Sequence, residues 1–558
     1  MSKPIWLAAG AMLFLSFGYT EMQGSDLWWH LAAGREILQT KTLWMTDDWS
    51  FSAHGGVWLN HEWLSDIIFY GWASAFGVKS LVYWKWLVVV STFIVLQQVL
   101  YRQSSSALAS FLCAAIAIAV AAPFIDVRPH LYTLLNFSIL LLLLLNRTSA
   151  TWIVAGLFVI WVNLHGGFFF GIMALGVLLF PWRDITLDNF KAAFIVGFIC
   201  VLACLLNPSG VKAFLYPLTY AFDTSSPFKG LGEWHPPFKP GGIQSPYFIW
   251  VLIAAPLVAL AYAIPAVRRS VNVPWEGIVL SGLTLAMAVT SRRFIPIFAM
   301  SFAVMLAPLM GLVLSKLRAQ KFDAAFAVGA LCFALYRMLP YPLAAPPAYH
   351  YLTAEYTYPI DTIDFMKANH LKGNVYALYN WGGYIHWRTD GDLKVYIDGR
   401  ADTIYGAETY LDYVAMLTHQ PDWIERIERS GADYFLWPLK GYGGTTKGPE
   451  LIKTGRWTFI YQDSVSFLLA RSSLAGLEKL HPGPDTPYRY LGDARMHALQ
   501  GDFAKASEWA AMAHREIPYQ KEACNLLAVS YRNLGMNAAA DKVSGECRSY
   551  FPSSQLRR

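Results

Sequence analysis

Asp26 and His30 stand four residues apart in the run Gly24-Ser25-Asp26-Leu27-Trp28-Trp29-His30, which follows directly on the first apolar segment of the chain. On a helix this spacing sets both side chains on one face, so both are expected to point at one site. Ionisable groups beside an apolar layer are costly to keep and mark reaction or transport paths when they recur on one side of it. The position is one where a membrane enzyme would keep a base, although His30 could equally pack against Trp28 and Trp29. A second acid and imidazole, His61 and Glu62, open the stretch His61-Glu62-Trp63-Leu64-Ser65-Asp66-Ile67-Ile68-Phe69-Tyr70-Gly71-Trp72. There Trp63, Ile67 and Tyr70 recur at helical spacing beside polar residues, the pattern of an amphipathic helix at a membrane interface.

The elements that must position these groups follow from composition. Of 558 residues, 55% are hydrophobic and only 15% charged, with a mean hydropathy of +0.35. Such a chain is a polytopic α-helical membrane protein. A net charge of +6, scattered among loops, gives no reason to expect nucleic acid. Apolar runs at 4–20, 81–100, 107–124, 131–146, 151–164, 167–181, 190–206, 246–266, 274–290, 294–314 and 323–340 predict about eleven spans of the ~20 residues that cross a bilayer. The 151–181 stretch is one tilted helix or two short ones. Asn163-Leu164-His165-Gly166-Gly167 favours a break.

Basic residues orient the spans. With the N-terminus inside, Lys3, Arg102, Arg147, Arg183, Lys191, Arg268, Arg269, Lys316, Arg318 and Lys321 fall in cytoplasmic loops, as the positive-inside rule requires. The outer side then collects Asp26, His30, Asp47, Asp48, His54, His61, Glu62, Asp126, Arg128, His130, His165, Glu233, His235, Arg292 and Arg293. Any one of these could be a solvated loop residue; together they make the outer face the polar, chemical one. Arg128, Arg292 and Arg293 break the rule, which suggests a local use.

The expected organisation is a membrane domain over 1–344 with an outer loop at 21–80, a small periplasmic α/β domain over 345–475, and helical hairpins over 486–552. Strand-like segments lie at 374–378, 394–397, 433–436 and 466–469, with helical stretches near 360–369, 407–418 and 421–430 between them. Asp398-Gly399-Arg400-Ala401-Asp402 follows a strand, where α/β folds place ligands; an Asp398 to Arg400 salt bridge that fixes a turn explains it equally well. Gly382-Gly383 reads as a tight turn. Gly501 and Gly535, Pro518 and Pro552, Ala494 and Ala528, and Ala506 and Ala540 are each 34 apart, the tetratricopeptide period. Such hairpins dock a protein partner or their own chain. Cys524 and Cys547 flank the turn at 535–536 and could pair if this part is periplasmic.

A short first span, a long outer loop opening on an acid, an amphipathic helix in that loop and a multi-span core resemble the GT-C class of membrane glycosyltransferases. The chain is also similar to a group of bacterial multi-span proteins through its DLWWHLAAG, TDDWSF, HEWLS, LLNPSG, GEWHPP, SRRFIP, NWGGY and YIDGRAD runs, which touch most of residues 24–402. The resemblance implies transfer of a sugar or glycan from a polyprenyl-phosphate donor to a protein or glycan acceptor, at the outer face of a bacterial inner membrane. Asp26 would be the base, with His30 and Glu62 as further catalytic candidates. Arg128, Arg292 and Arg293 would pair with phosphate oxygens through the guanidinium fork, and His130 and His165 would add donors. Asp48, His61, Glu233 and His235 are further candidates. Leu27 follows Asp26, so the two-acid metal motif of the class is absent; a divalent cation held by His30, Asp48, His61 and Glu62 stays open. Two other readings are an O-antigen-type polymerase or ligase and a non-enzymatic scaffold for envelope assembly.

Overall fold

The structure, a computed structural model, describes residues 3–20, 22, 24–145, 150–222, 225–239, 242–243, 245–338, 357–518 and 520–550. The boundary expected at 344–345, and Arg147, lie outside the described residues. The chain forms two compact units, one of residues 1–20, 61–65 and 81–338, the other of 21–60, 66–80 and 339–558.

The first unit is helical. Helices occupy each of the apolar runs read from the sequence, at Lys3–Gly18, Leu81–Ser104, Ala107–Ala121, His130–Leu144, Thr151–Leu164, Phe168–Leu179, Leu187–Ala203, Phe248–Ala261, Trp275–Thr290, Ile295–Lys316 and Asp323–Met338. Among the described residues, three helical stretches, 78–104, 107–124 and 292–316, are long and apolar enough to cross a membrane. Others, including Phe168–Leu179 and Phe248–Ala261, are as apolar but shorter. The 151–181 stretch is two helices. A further helix, Gly210–Phe222, was not expected, and Pro217 lies within it. Ile295–Lys316 is the central post, buried along most of its length and packed on Ala107–Ala121, Trp275–Thr290 and Leu81–Ser104. Starts are capped where the sequence allows: the Ser106 hydroxyl accepts from the Ala109 N–H at 3.2 Å and Thr186 from Asn189 at 3.3 Å.

The second unit is built on two sheets. Strands β1 (Met45–Thr46) and β2 (Val57–Trp58) form a short antiparallel pair. β3 (Gly373–Ala377), β4 (Leu393–Val395), β5 (Tyr434–Pro438), β6 (Trp457–Gln462) and β7 (Ser466–Arg471) make a five-stranded sheet of order β4-β3-β5-β7-β6. β3 runs parallel to β4 and β5, while β7 is antiparallel to β5 and β6. Helices Ile360–Ala368, Ala407–Leu417 and Trp423–Ser430 fall where the pattern set them. Strand β6 was not foreseen, because its exposed Thr458 and Phe459 blur the alternation.

Apart from residues 61–65, the outer loop belongs to this unit. The Phe51 N–H donates to the Val395 carbonyl at 3.0 Å and Val395 donates back to Trp49 at 3.0 Å, so residues 49–51 occupy the open edge of β4. Trp58 Nε1 donates to Thr403 at 2.9 Å. These contacts place the loop with the α/β sheet, where the sequence had grouped it with the membrane helices. Gly382 and Gly383 are also helical, inside Tyr379–Thr389. A Cβ on Gly383 would lie 2.9 Å from the Trp29 backbone nitrogen, so the glycine allows the close approach of this helix to Asp26–Thr40.

The C-terminal helices Pro487–Leu499, Phe503–Glu516, Lys521–Asn533 and Asn537–Tyr550 form two hairpins in the 34-residue register. Gly501 and Gly535 take matching left-handed conformations at φ 78° and 75°, and Ala494, Ala506, Ala528 and Ala540 are buried. A disulfide joins Cys524 to Cys547.

Candidate functional site

Three loops of the first unit bring charge together. Arg128 comes from the link between Ala107–Ala121 and His130–Leu144, Glu233 from the long link after Gly210–Phe222, and Arg293 from the link between Trp275–Thr290 and Ile295–Lys316. Arg128 Nη1 lies 3.1 Å from Glu233 Oε2, and Arg293 Nη1 lies 3.8 Å from Oε1 of the same carboxylate. The Arg293 guanidinium also sits 4.0 Å over the Trp234 ring. Burial alone would raise the Glu233 carboxyl, but Arg128 and then Arg293 overcome it and hold it down at about 2. One carboxylate thus fixes two guanidiniums that are each about a third exposed.

Arg292 is used differently. It is 5% exposed, and its guanidinium donates to the carbonyls of Gly232 and, at 3.4 Å, Gly242. Its backbone N–H donates to the His235 carbonyl at 3.1 Å, and Ser291 Oγ donates to the Glu233 carbonyl at 3.2 Å. The Ser291-Arg292 step therefore pins the loop that carries Glu233. His235 enters this arrangement through its backbone.

Beside this cluster, Glu62 Oε1 lies 3.6 Å from both His61 Nε2 and His165 Nε2. The His165 ring is oriented from behind. Trp161 Nε1 donates to Thr133 Oγ1 at 3.1 Å, so that hydroxyl gives its proton to His165 Nδ1 at 2.7 Å, which also accepts the Gly167 N–H at 3.0 Å. With Nδ1 an acceptor, the ring proton sits on Nε2 and faces Glu62. Burial holds the His165 imidazole well below its usual range, and the nearby charges of Arg293, His130, His61 and Arg128 push it the same way. His130 Nε2 donates to the Phe124 carbonyl at 2.7 Å, closing the Arg128 turn.

An amide relay holds the Glu62 segment in place. Trp63 Nε1 donates to Asn163 Oδ1 at 2.7 Å, Asn207 Nδ2 to the same oxygen at 3.1 Å, and Ser65 Oγ to the Leu164 carbonyl at 2.6 Å. Trp63, Thr133, Asn163 and Asn207 were not singled out as functional by sequence reasoning. The only signal was the placing of Asn163 and Asn207 next to helix breaks.

In the second unit, Asp26 and His30 share the Asp26–Thr40 helix. His30 is 1% exposed, its Nδ1 2.5 Å from Asp66 Oδ1, while Asn60 Nδ2 donates to Asp66 Oδ2 at 2.7 Å. Its ring packs on Trp29 and Phe69. His30 is thus held by Asp66 and by the aromatic rings around it, the packing role that the sequence reading set beside the catalytic one. Asp26 lies in the first turn, partly exposed. Its Oδ1 is 3.2 Å from where a Cβ on Gly399 would stand, so Gly399 leaves room for the carboxylate.

Asp398 and Arg400 form a buried ion cluster. Arg400 Nε donates to Asp398 Oδ1 at 2.9 Å, and Nη2 contacts Asp398 Oδ2 at 2.8 Å and Asp47 Oδ1 at 2.7 Å. The guanidinium lies 4.3 Å over Trp49. The turn-fixing reading of this motif holds, and Asp47 is the partner the sequence did not supply. Asp48 is exposed, its carbonyl accepting from Lys394. Of the four residues expected around a cation, His61 and Glu62 belong to the first unit and His30 and Asp48 to the second. Among the described residues, the group of His, Cys, Asp and Glu close enough to share an ion is His514 with Cys524 and Cys547, whose thiols are spent in the disulfide.

No protein-family model and no curated protein sequence matches the chain. Solved structures do. The oligosaccharyltransferase of Archaeoglobus fulgidus, tethered to an acceptor peptide containing the NVT sequon, is similar over 84% of this chain and 74% of its own, at 14% identity and a TM-score of 0.53. ArnT from Cupriavidus metallidurans, bound to undecaprenyl phosphate, aligns over 86% and 98% at 12% identity and a TM-score of 0.46. The first likeness shows the GT-C-like fold that the sequence resemblance implied.

Proposed function

We propose that the chain is a glycosyltransferase that moves a sugar or glycan from a polyprenyl-phosphate donor to an acceptor at the outer face of a bacterial inner membrane. The observation that carries this reading is the Arg128–Glu233–Arg293 arrangement beside Glu62 and His165, on loops of a GT-C-like helical unit. Sugar transfer forms a bond from an acceptor oxygen to the anomeric carbon as the bond from that carbon to the phosphate oxygen breaks. The phosphate keeps the electron pair, and the acceptor proton passes to a base. Arg128 and Arg293 meet the charge that grows on the phosphate, already paired and oriented so that little reorganisation is needed. Glu233 is a positioning residue that holds the two forks. His165 Nε2–H and His61 are donors beside the carboxylate of Glu62. Asp26 stays the candidate base for the acceptor, by its match to the first-loop acid of the class and by the space left at Gly399.

The test uses the full chain in liposomes with a radiolabelled polyprenyl-phosphate sugar, following release of polyprenyl phosphate and label transfer. Arg128→Ala and Arg293→Ala are each expected to lower the rate by roughly 10²- to 10³-fold, the scale seen when one charge-stabilising donor is removed. Asp26→Asn should abolish transfer without loss of folding. Full function in cells of Asp26→Asn and Arg293→Ala, with loss on deleting 486–558, would replace the enzyme with an assembly scaffold.

A further inference from the structure

A crevice of the α/β sheet is lined by none of residues 398–402. A cavity of about 460 Å³ opens where β3 and β5 end, lined by Asn380 and Trp381 after β3, by Lys440 and Tyr442 after β5, and by Arg495 and Glu522 from the terminal hairpins. The carboxyl ends of parallel strands are where α/β folds leave room for ligands, and the volume falls in the small-ligand range. Ser25, next to Asp26 in the chain, is also on its wall.

One rim residue is held at a cost. Gly441, Tyr442 and Gly443 take three successive positive φ angles of 77°, 48° and 70°. That conformation suits the glycines but strains a bulky aromatic. The Tyr442 carbonyl is fixed from beneath by Trp437 Nε1 at 3.0 Å and by the Nζ of buried Lys447 at 2.8 Å. Yet the Tyr442 side chain is 54% exposed. The fold thus spends partly buried hydrogen bonds on presenting an aromatic ring on the wall of a crevice of mixed polar and apolar lining. Opposite it, Arg495 is locked by Glu522 and the Ser464 carbonyl.

We propose that this crevice binds a saccharide, the glycan acceptor of the transfer reaction, with one sugar face on the Tyr442 ring and its hydroxyls bonded to Asn380, Lys440, Arg495 and Glu522. A sugar ring has an apolar C–H face and a rim of hydroxyls that both donate and accept, which matches one exposed ring surrounded by an amide, cations and a carboxylate. A peptide bound by strand addition needs a free sheet edge, and this crevice stands at strand ends. The assignment as acceptor site rests on the glycosyltransferase reading; saccharide binding does not.

Full-length protein in nanodiscs, without donor, is applied to a glycan array of neutral hexose, amino-sugar and uronic-acid oligomers. Binding to at least one class is expected, with Tyr442→Ala weakening it by about tenfold, within the range for loss of an aromatic contact, and Tyr442→Phe retaining it. Tyr442→Asn tolerates the left-handed backbone and should lose binding while keeping the melting temperature. An array with no binder, a binder indifferent to Tyr442→Ala, or a crevice occupied by peptide and not by glycan overturns the proposal. Binding without transfer would sink the glycosyltransferase reading and leave the saccharide site; transfer without array binding would do the reverse.

Discussion

Arginine at 128 and 293 is chosen for geometry as much as charge. Glu233 engages each guanidinium, and a planar fork presents its N–H groups in fixed positions, which a lysine ammonium does not. Arg293→Lys should therefore recover only part of what Arg293→Ala loses, most visibly as a lower kcat in the liposome assay. A different carboxylate reports on folding. Asp361 is 2% exposed; burial, with Asp463 nearby, pushes its carboxyl up to about 7 although Tyr461 and Thr486 donate to it at 2.7 and 3.3 Å. The folded protein then binds a proton there that the unfolded chain has released. Stability should fall as pH rises from about 4 to about 7 and level off above, by on the order of 4 kcal/mol at ~1.4 kcal/mol per pH unit. Thermal unfolding of Asp361→Asn across that window should lose this slope; an unchanged slope would assign it to another group.

At the scale of elements, the Asp47–Arg400–Asp398 cluster ties the strip at 45–60 to the turn after β4. Arg400→Met leaves two buried carboxylates without their cation, and a loss of about 3–5 kcal/mol is expected for breaking such a pair from one side. The melting temperature should drop accordingly, while the exposed Asp48→Ala should change little. The sequence made the α/β strands legible because β3, β5 and β7 alternate or run apolar as buried strands do. It could not reveal that residues 49–51 close the β4 edge, since pairing across more than 340 residues leaves no local pattern. Gly382-Gly383 misled for a related reason: glycine serves both turns and close helix contacts, and only the neighbour at Trp29 distinguishes them.

For the whole molecule, orientation is the open quantity with a direct test. If the second unit faces the periplasm, Cys524 and Cys547 should resist a membrane-impermeant maleimide in intact cells until a reductant is added, and then react from outside. Thiols that label only after lysis without reductant would invert the topology.

Composition and hydropathy by themselves determined a largely helical chain rich in apolar helices, with an α/β part and helices recurring every 34 residues, because burial in an apolar layer and repeat packing leave their periods in the chain. The placing of basic residues also picked out Arg128, Arg292 and Arg293 as exceptions to the positive-inside rule in short outer loops. Only the tertiary structure decided which of those groups meet. It gathered Arg128, Glu233 and Arg293 from loops 60 to 165 residues apart, withdrew Arg292 to backbone carbonyls and buried His30 against Asp66. The physical reason is that a side chain's role depends on its solvation and partners, and distant loops supply both.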